Sequence, residues 1–302
     1  VHQRQIRPDR GLTIRMILSF IILGAVYLAF MWVLLSVGLG IAPIILIAGG
    51  MLIVQYYFSD SVVLMSVGAR KVPPGERPEL RAMIERLAAM AGVPTPQIAI
   101  LDTSVPNAFA TGRNPRHSVI CVTTGLLSRL DPKELEAVVA HEMTHVRNRD
   151  MTIITMATFF ATVAGFIVQW AFFFIPMGGM GGGMGGGRRN GDSTILVYLV
   201  SFLVWIISFF IIRAISRYRE YAADRGSAVL TGQPSELASA LVKISGGVER
   251  SPNRDLREVE KAAALCIMPA ISRDSFLELF QTHPSLNHRL DKLKEIEREM
   301  GR

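Results

Sequence analysis

Four stretches of this 302-residue chain are nearly free of charge, and they limit what it can fold into. Residues 12–37 carry one charge, Arg15, while 41–58, 151–175 and 193–212 carry none. Each is 18 to 26 residues long. At about 1.5 Å rise per residue, a helix of that length crosses the roughly 30 Å of a bilayer's hydrocarbon. The expected architecture therefore has four transmembrane helices. The short uncharged turn at 38–43 leaves a re-entrant hairpin as the alternative for the second. The first stretch is too long for a cleaved signal peptide and shows no small-residue cleavage site at its end.

Basic residues orient the spans. Arg4, Arg7, Arg10 and Arg15 lie at the first, and Arg70, Lys71 and Arg77 follow the second. Arg147 and Arg149 precede the third, and Arg213, Arg217 and Arg219 follow the fourth. Only Arg188 and Arg189 fall in the loops on the other side. The positive-inside rule then places both termini and all long polar segments in the cytoplasm. The net charge of +7 does not imply nucleic acid here, because the arginines gather at helix ends, where they meet anionic headgroups.

The expected organisation has four parts. Residues 1–58 are an N-terminal tail with spans one and two. Residues 59–150 and 213–302 are two halves of one catalytic domain. Residues 151–212 are spans three and four with an external loop, nearly all Gly and Met over 177–187. That loop reads as a flexible linker; Met177, Met180 and Met184 leave a soft copper site as the alternative. Cys121 and Cys266 sit in apolar surroundings and read as buried free thiols. In the first half, 79–91 reads as an amphipathic helix ended by Gly92. Residues 97–102, 107–111 and 118–123 read as strands, the last two joined by a turn at 112–115.

The chemistry sits in His141-Glu142-Met143-Thr144-His145. Asp131 is a good N-cap, Pro132 suits the first helical position, and Glu134 completes a capping box. On the helix that follows, His141 and His145 are one turn apart on one face. Both imidazoles can reach one metal ion, and Glu142 beside them can polarise a water. The competing reading is an ordinary helix face that happens to carry two histidines.

A catalytic zinc needs a third protein ligand and an open position. Glu220 and Asp224, four apart after the fourth span, are the best candidates. Glu220 can ligate, and Asp224 can accept a hydrogen bond from the far nitrogen of a ligand histidine. Both ligand segments lie roughly 10 Å of helix beyond their spans. The alternative is a solvated helix face paired with Arg217 or Arg225.

Together these residues resemble the HExxH and ExxAD pair of the HtpX-type membrane metallopeptidases, relatives of the CAAX prenyl proteases. Pro106-Asn107-Ala108-Phe109-Ala110-Thr111-Gly112 is similar to that family's PNAFATG stretch. Thr124-Gly125-Leu126-Leu127, Asn148 with Asp150, and Thr282-His283-Pro284-Ser285 match further motifs, over about 94–289. The Gly/Met-rich loop departs from the family in detail. The resemblance implies an α-helical integral membrane protein with a cytoplasmic α+β zincin-like (gluzincin) catalytic domain. It implies one Zn2+ per chain held by His141, His145 and Glu220, with Glu142 as general base. It implies that Asn107, Ala108, Phe109 and Ala110 form an edge strand that receives the substrate backbone. It places His283 near the oxyanion, where a structural histidine before Pro284 is the alternative.

The implied role is an endopeptidase of a bacterial or archaeal plasma membrane. Its polypeptide substrates would be damaged or misassembled membrane proteins, as part of stress response and quality control. Two other functions remain open on sequence. One is a silent membrane scaffold with a structural zinc, in which His283 closes the site as a fourth ligand. The other is a protease specific for prenylated C-termini.

Overall fold

A computed structural model describes residues 10–36, 49–50, 53, 64–65, 67–154, 189–248 and 284–301. Most of the second and third apolar stretches, the loop 177–187, Cys266 and His283 lie outside the described residues. The described elements run α1 (Arg10–Ser36), β1 (Arg70–Lys71), α2 (Pro78–Ala91), β2 (Gln97–Leu101), β3 (Ala108–Gly112), β4 (Ser118–Thr123), α3 (Thr124–Arg129), α4 (Pro132–Arg147), α5 (Arg189–Thr231), α6 (Pro234–Val248) and α7 (Leu286–Met300). The chain divides into two compact units. One comprises Ile14–Tyr56 and Ile154–Ile215, the other Val1–Thr13, Tyr57–Ile153 and Ser216–Arg302.

The first unit is apolar. Among the described residues two segments are long and apolar enough to cross a membrane, Ile14–Val33 and Ile195–Thr231. Neither behaves like the core helix of a soluble protein. Leu28 and Trp32 stand 75% and 71% exposed, which suits a hydrocarbon surrounding better than water. The buried side chains Leu23, Tyr27 and Phe30 recur at helical spacing on α1. Tyr27 Oη lies 2.5 Å from Ser208 Oγ, so two hydroxyls inside this apolar unit satisfy each other.

The second unit carries a four-stranded sheet of order β1-β2-β4-β3. β2 and β4 run parallel, with Ile98 opposite Ile120. β3 and β4 run antiparallel, with Phe109 opposite Cys121. β4 is buried along its whole length, which is why Val119 to Val122 read as a continuous apolar run. β3 is the last strand in hydrogen-bonding order, and among the described residues no strand pairs with its far edge. β1, absent from the sequence reading, is two charged, exposed residues with no alternation to betray it. Ile84 and Leu87 of α2, Ile98, Phe109, Ile120 and Val138 build the core beneath α4.

α4 starts where the capping chemistry predicts. Glu134 accepts the Asp131 backbone N–H at 2.9 Å. Its carboxylate also accepts from Ser239 Oγ at 2.6 Å and Lys243 Nζ at 2.7 Å, tying α4 to α6. α4 ends at Arg147 with Asn148 as its C-cap, and Arg149 takes a left-handed φ of 57° as the chain turns away. α5 crosses α4 closely. Ser227 Oγ donates to the Ala137 carbonyl at 2.7 Å. One residue earlier, a Cβ on Gly226 would run into the Thr144 side chain. The missing side chain at 226 lets the two helices meet beside the histidines.

Candidate metal centre

One turn apart on α4, the His141 and His145 rings meet edge to face with centroids 4.8 Å apart. Their Nε2 atoms face each other at 3.2 Å. Glu220, from α5, brings Oε2 to 3.5 Å of His141 Nε2 and Oε1 to 3.5 Å of His145 Nε2. The three residues are buried, and their ligand atoms lie within 4.8 Å of one another, so they could hold a metal ion.

The back of each imidazole is tied to a carboxylate. His141 Nδ1 lies 3.0 Å from Asp224 Oδ1, and His145 Nδ1 lies 2.6 Å from Asp150 Oδ2. A carboxylate behind Nδ1 keeps the proton there and leaves Nε2 as the lone-pair nitrogen. Two Nε2 lone pairs and the Glu220 carboxylate then converge with acceptors only. A cation resolves that conflict, and two imidazoles with one carboxylate are donors that catalytic zinc sites use. Charge points the same way. Glu142, Asp150, Glu220 and Asp224 are four buried carboxylates, faced by the guanidinium groups of Arg289 and Arg219. A dication closes the balance while both imidazoles stay neutral.

Without a metal the cluster holds protons instead. Burial pulls the His145 imidazole down, but Asp150 and Glu220 outweigh it and push the group up to about 10. His141 is raised in the same way, burial being outweighed by Asp224 and Glu220. Burial pushes Glu142 above the usual carboxylate range, against the pull of the histidine pair. Its carboxylate also accepts a hydrogen bond from the backbone of Ala110 on β3.

The geometry thus brings His141, Glu142, His145, Glu220 and Asp224 into one cluster, next to β3. Asn107 precedes that strand and is buried. His283 lies outside the described residues. Sequence reasoning noted Asp150 as a motif residue but gave it no work, although it mirrors Asp224. It counted Arg219 only among the basic residues that orient the spans, and it gave Arg289 no role. Residues distant in sequence leave no spacing signal when they converge.

The profile of peptidase family M48 matches residues 74–297, a span that contains the whole cluster. The chain belongs to peptidase family M48. It is a metalloprotease, and several relatives align with it along nearly their full length. A Protease HtpX homolog of Moorella thermoacetica is 56% identical over 298 residues, covering 99% of this chain and 98% of the relative. Protease HtpX homolog 2 of Methanosarcina acetivorans is 50% identical over 299 residues, covering 99% and 100%. Among solved structures, the crystal structure of S. mikatae Ste24p is similar with a TM-score of 0.56 at 20% identity. That likeness covers 94% of this chain but 66% of the Ste24p chain, and it is one of fold. The exposed apolar helices of this M48 member suggest a membrane protein.

Proposed function

We propose that this M48 metalloprotease is a multi-pass membrane zinc endopeptidase that cleaves damaged or unfolded membrane proteins at the cytoplasmic face. The observation that carries the catalytic part is the convergence of His141, His145 and Glu220 beside Glu142. When bound there, zinc supplies Lewis acidity towards water and towards the scissile carbonyl. His141, His145 and Glu220 are the ligands, and Asp224 and Asp150 orient the two imidazoles from behind. Glu142 takes the proton from the attacking water and later delivers it to the leaving amine. A carboxylate raised by burial is better matched to that double duty than one at its ordinary value.

The substrate backbone adds to the far edge of β3, along Asn107 to Ala110. The hydrogen bond between Ala110 and Glu142 supports that reading, because it sets this edge directly against the proposed base. His283 is proposed to assist at the oxyanion. The arginine distribution supports the cytoplasmic orientation, with both catalytic segments and both termini on that side. The four-part organisation is likewise proposed: 1–58, 59–150, 151–212 and 213–302.

Glu142→Gln tests the chemistry. The full-length variant in detergent should keep stoichiometric zinc and lose cleavage of an unfolded protein such as casein by a factor of at least about 100. Casein cleavage at the wild-type rate would remove Glu142 from the mechanism.

A further inference from the structure

Arg289 is fully buried on α7, far in sequence from every other residue of the cluster. Its Nε reaches Asp224 Oδ2 at 2.9 Å and its Nη2 reaches Asp224 Oδ1 at 2.6 Å, a two-pronged pair. The same Nη2 lies 3.5 Å from His141 Nδ1. Nη1 is 3.7 Å from Glu220 Oε2, too far for a hydrogen bond. The opposite imidazole has a looser arrangement. Behind His145, Asp150 meets Arg219 through a single 3.3 Å approach, and that arginine is 12% exposed.

A buried guanidinium is costly unless its charge and its donors are met. Here a planar fork matches one carboxylate with two parallel bonds, which fixes the plane of that carboxylate as well as its position. The carboxylate so fixed is the one that holds His141 Nδ1. We propose that Arg289 is a positioning residue of the metal centre: by clamping Asp224 it sets the tautomer and aim of His141. Metal retention then depends on the docking of α7, which Leu293, Ile296 and the 3.0 Å Arg225–Glu299 pair hold in place. The proposal rests on His141, His145 and Glu220 being the ligands.

The test uses the full chain in detergent, stripped of metal and titrated with zinc against a chromogenic chelator. Arg289→Lys keeps the charge but cannot form the fork. It should fold with little change in the melting temperature of the metal-free protein, yet bind zinc about 10-fold more weakly. The visible bands of the Co2+-loaded variant should shift, since His141 would meet the ion at a different angle. Arg289→Met strands a buried carboxylate and can fail to fold, so it is combined with Asp224→Asn, which removes both charges. If Arg289 acts through Asp224, the double variant should bind zinc about as weakly as Asp224→Asn alone. Wild-type zinc affinity and an unshifted Co2+ spectrum in Arg289→Lys would overturn the proposal. So would independent, multiplying losses in the double variant. Glu220→Gln is run in parallel: full zinc affinity there would sink the ligand assignment itself, whatever Arg289 does.

Discussion

Asp224 and Asp150 stand in the same relation to two different imidazoles, 3.0 Å behind one and 2.6 Å behind the other. Only the first relation was legible in the sequence, because Asp224 falls one helical turn after Glu220. Asp150 lies five residues beyond His145, across the left-handed turn at Arg149, where helical spacing no longer predicts a partner. Asp224→Asn and Asp150→Asn should each weaken zinc binding by about 10- to 100-fold while leaving the three proposed ligands in place. Competitive zinc titration checks this, and an unchanged affinity in either variant refutes the orienting role of that residue. Acidity gives a second test at this scale. His145 is raised from 6.5 to about 10 in the metal-free protein, so its proton stabilises that fold fully below about 6.5. The contribution is lost as pH climbs through about 10. Bound metal reverses the dependence, since the proton on Nε2 must leave before the ion enters. Melting temperature should therefore fall with rising pH in the metal-free protein, while zinc affinity rises over the same range. Parallel melting curves and zinc titrations from pH 6 to 10 decide it; the same trend in both would show that His145 Nε2 is not where the ion competes.

Helix α4 was readable almost to the residue, because Asp131, Pro132 and Glu134 are local signals and the helix answers to them. The three longer strands were readable to within a residue, from alternation and from the turn at 112–115. The parallel pairing of β2 with β4 was not, since register and order depend on contacts between distant segments. Nor was the close crossing of α4 and α5, which rests on what Gly226 lacks. In an isolated helix, Gly226→Ala would gain about 1 kcal/mol from propensity. Here the new methyl group meets Thr144, and overpacking costs about 1–3 kcal/mol. The expected net result is a lower melting temperature and weaker zinc binding, because the crossing sets the distance from Glu220 to the histidines. Thr144→Ala in the same chain should recover most of both losses. A Gly226→Ala protein that is more stable than wild type, with normal zinc affinity, would show that the crossing has slack.

For the whole molecule, uncharged length and arginine bias were the legible features, because both are properties of composition. Two of the four stretches can be followed as helices among the described residues, and the last continues without a break into the segment bearing Glu220 and Asp224. The proposed orientation predicts that a cysteine at position 302, in a Cys266→Ser background, reacts with an impermeant maleimide in inverted vesicles and not in intact cells. One at position 190 should show the opposite pattern. Labelling of both positions from the same side would discard the four-span topology. The far edge of β3, with which no described strand pairs, has its own consequence if a substrate backbone adds there as proposed. A backbone can be added there only if its amides are not already engaged in a fold. Recognition of that kind is indifferent to most side chains and sensitive to conformational state. A given target's lifetime would then follow its opening equilibrium: each 1.4 kcal/mol lost from its stability would raise its cleavage about tenfold while reclosing outpaces hydrolysis. Healthy and failing copies of the same membrane protein would be told apart by thermodynamics alone, with no tag and no consensus site.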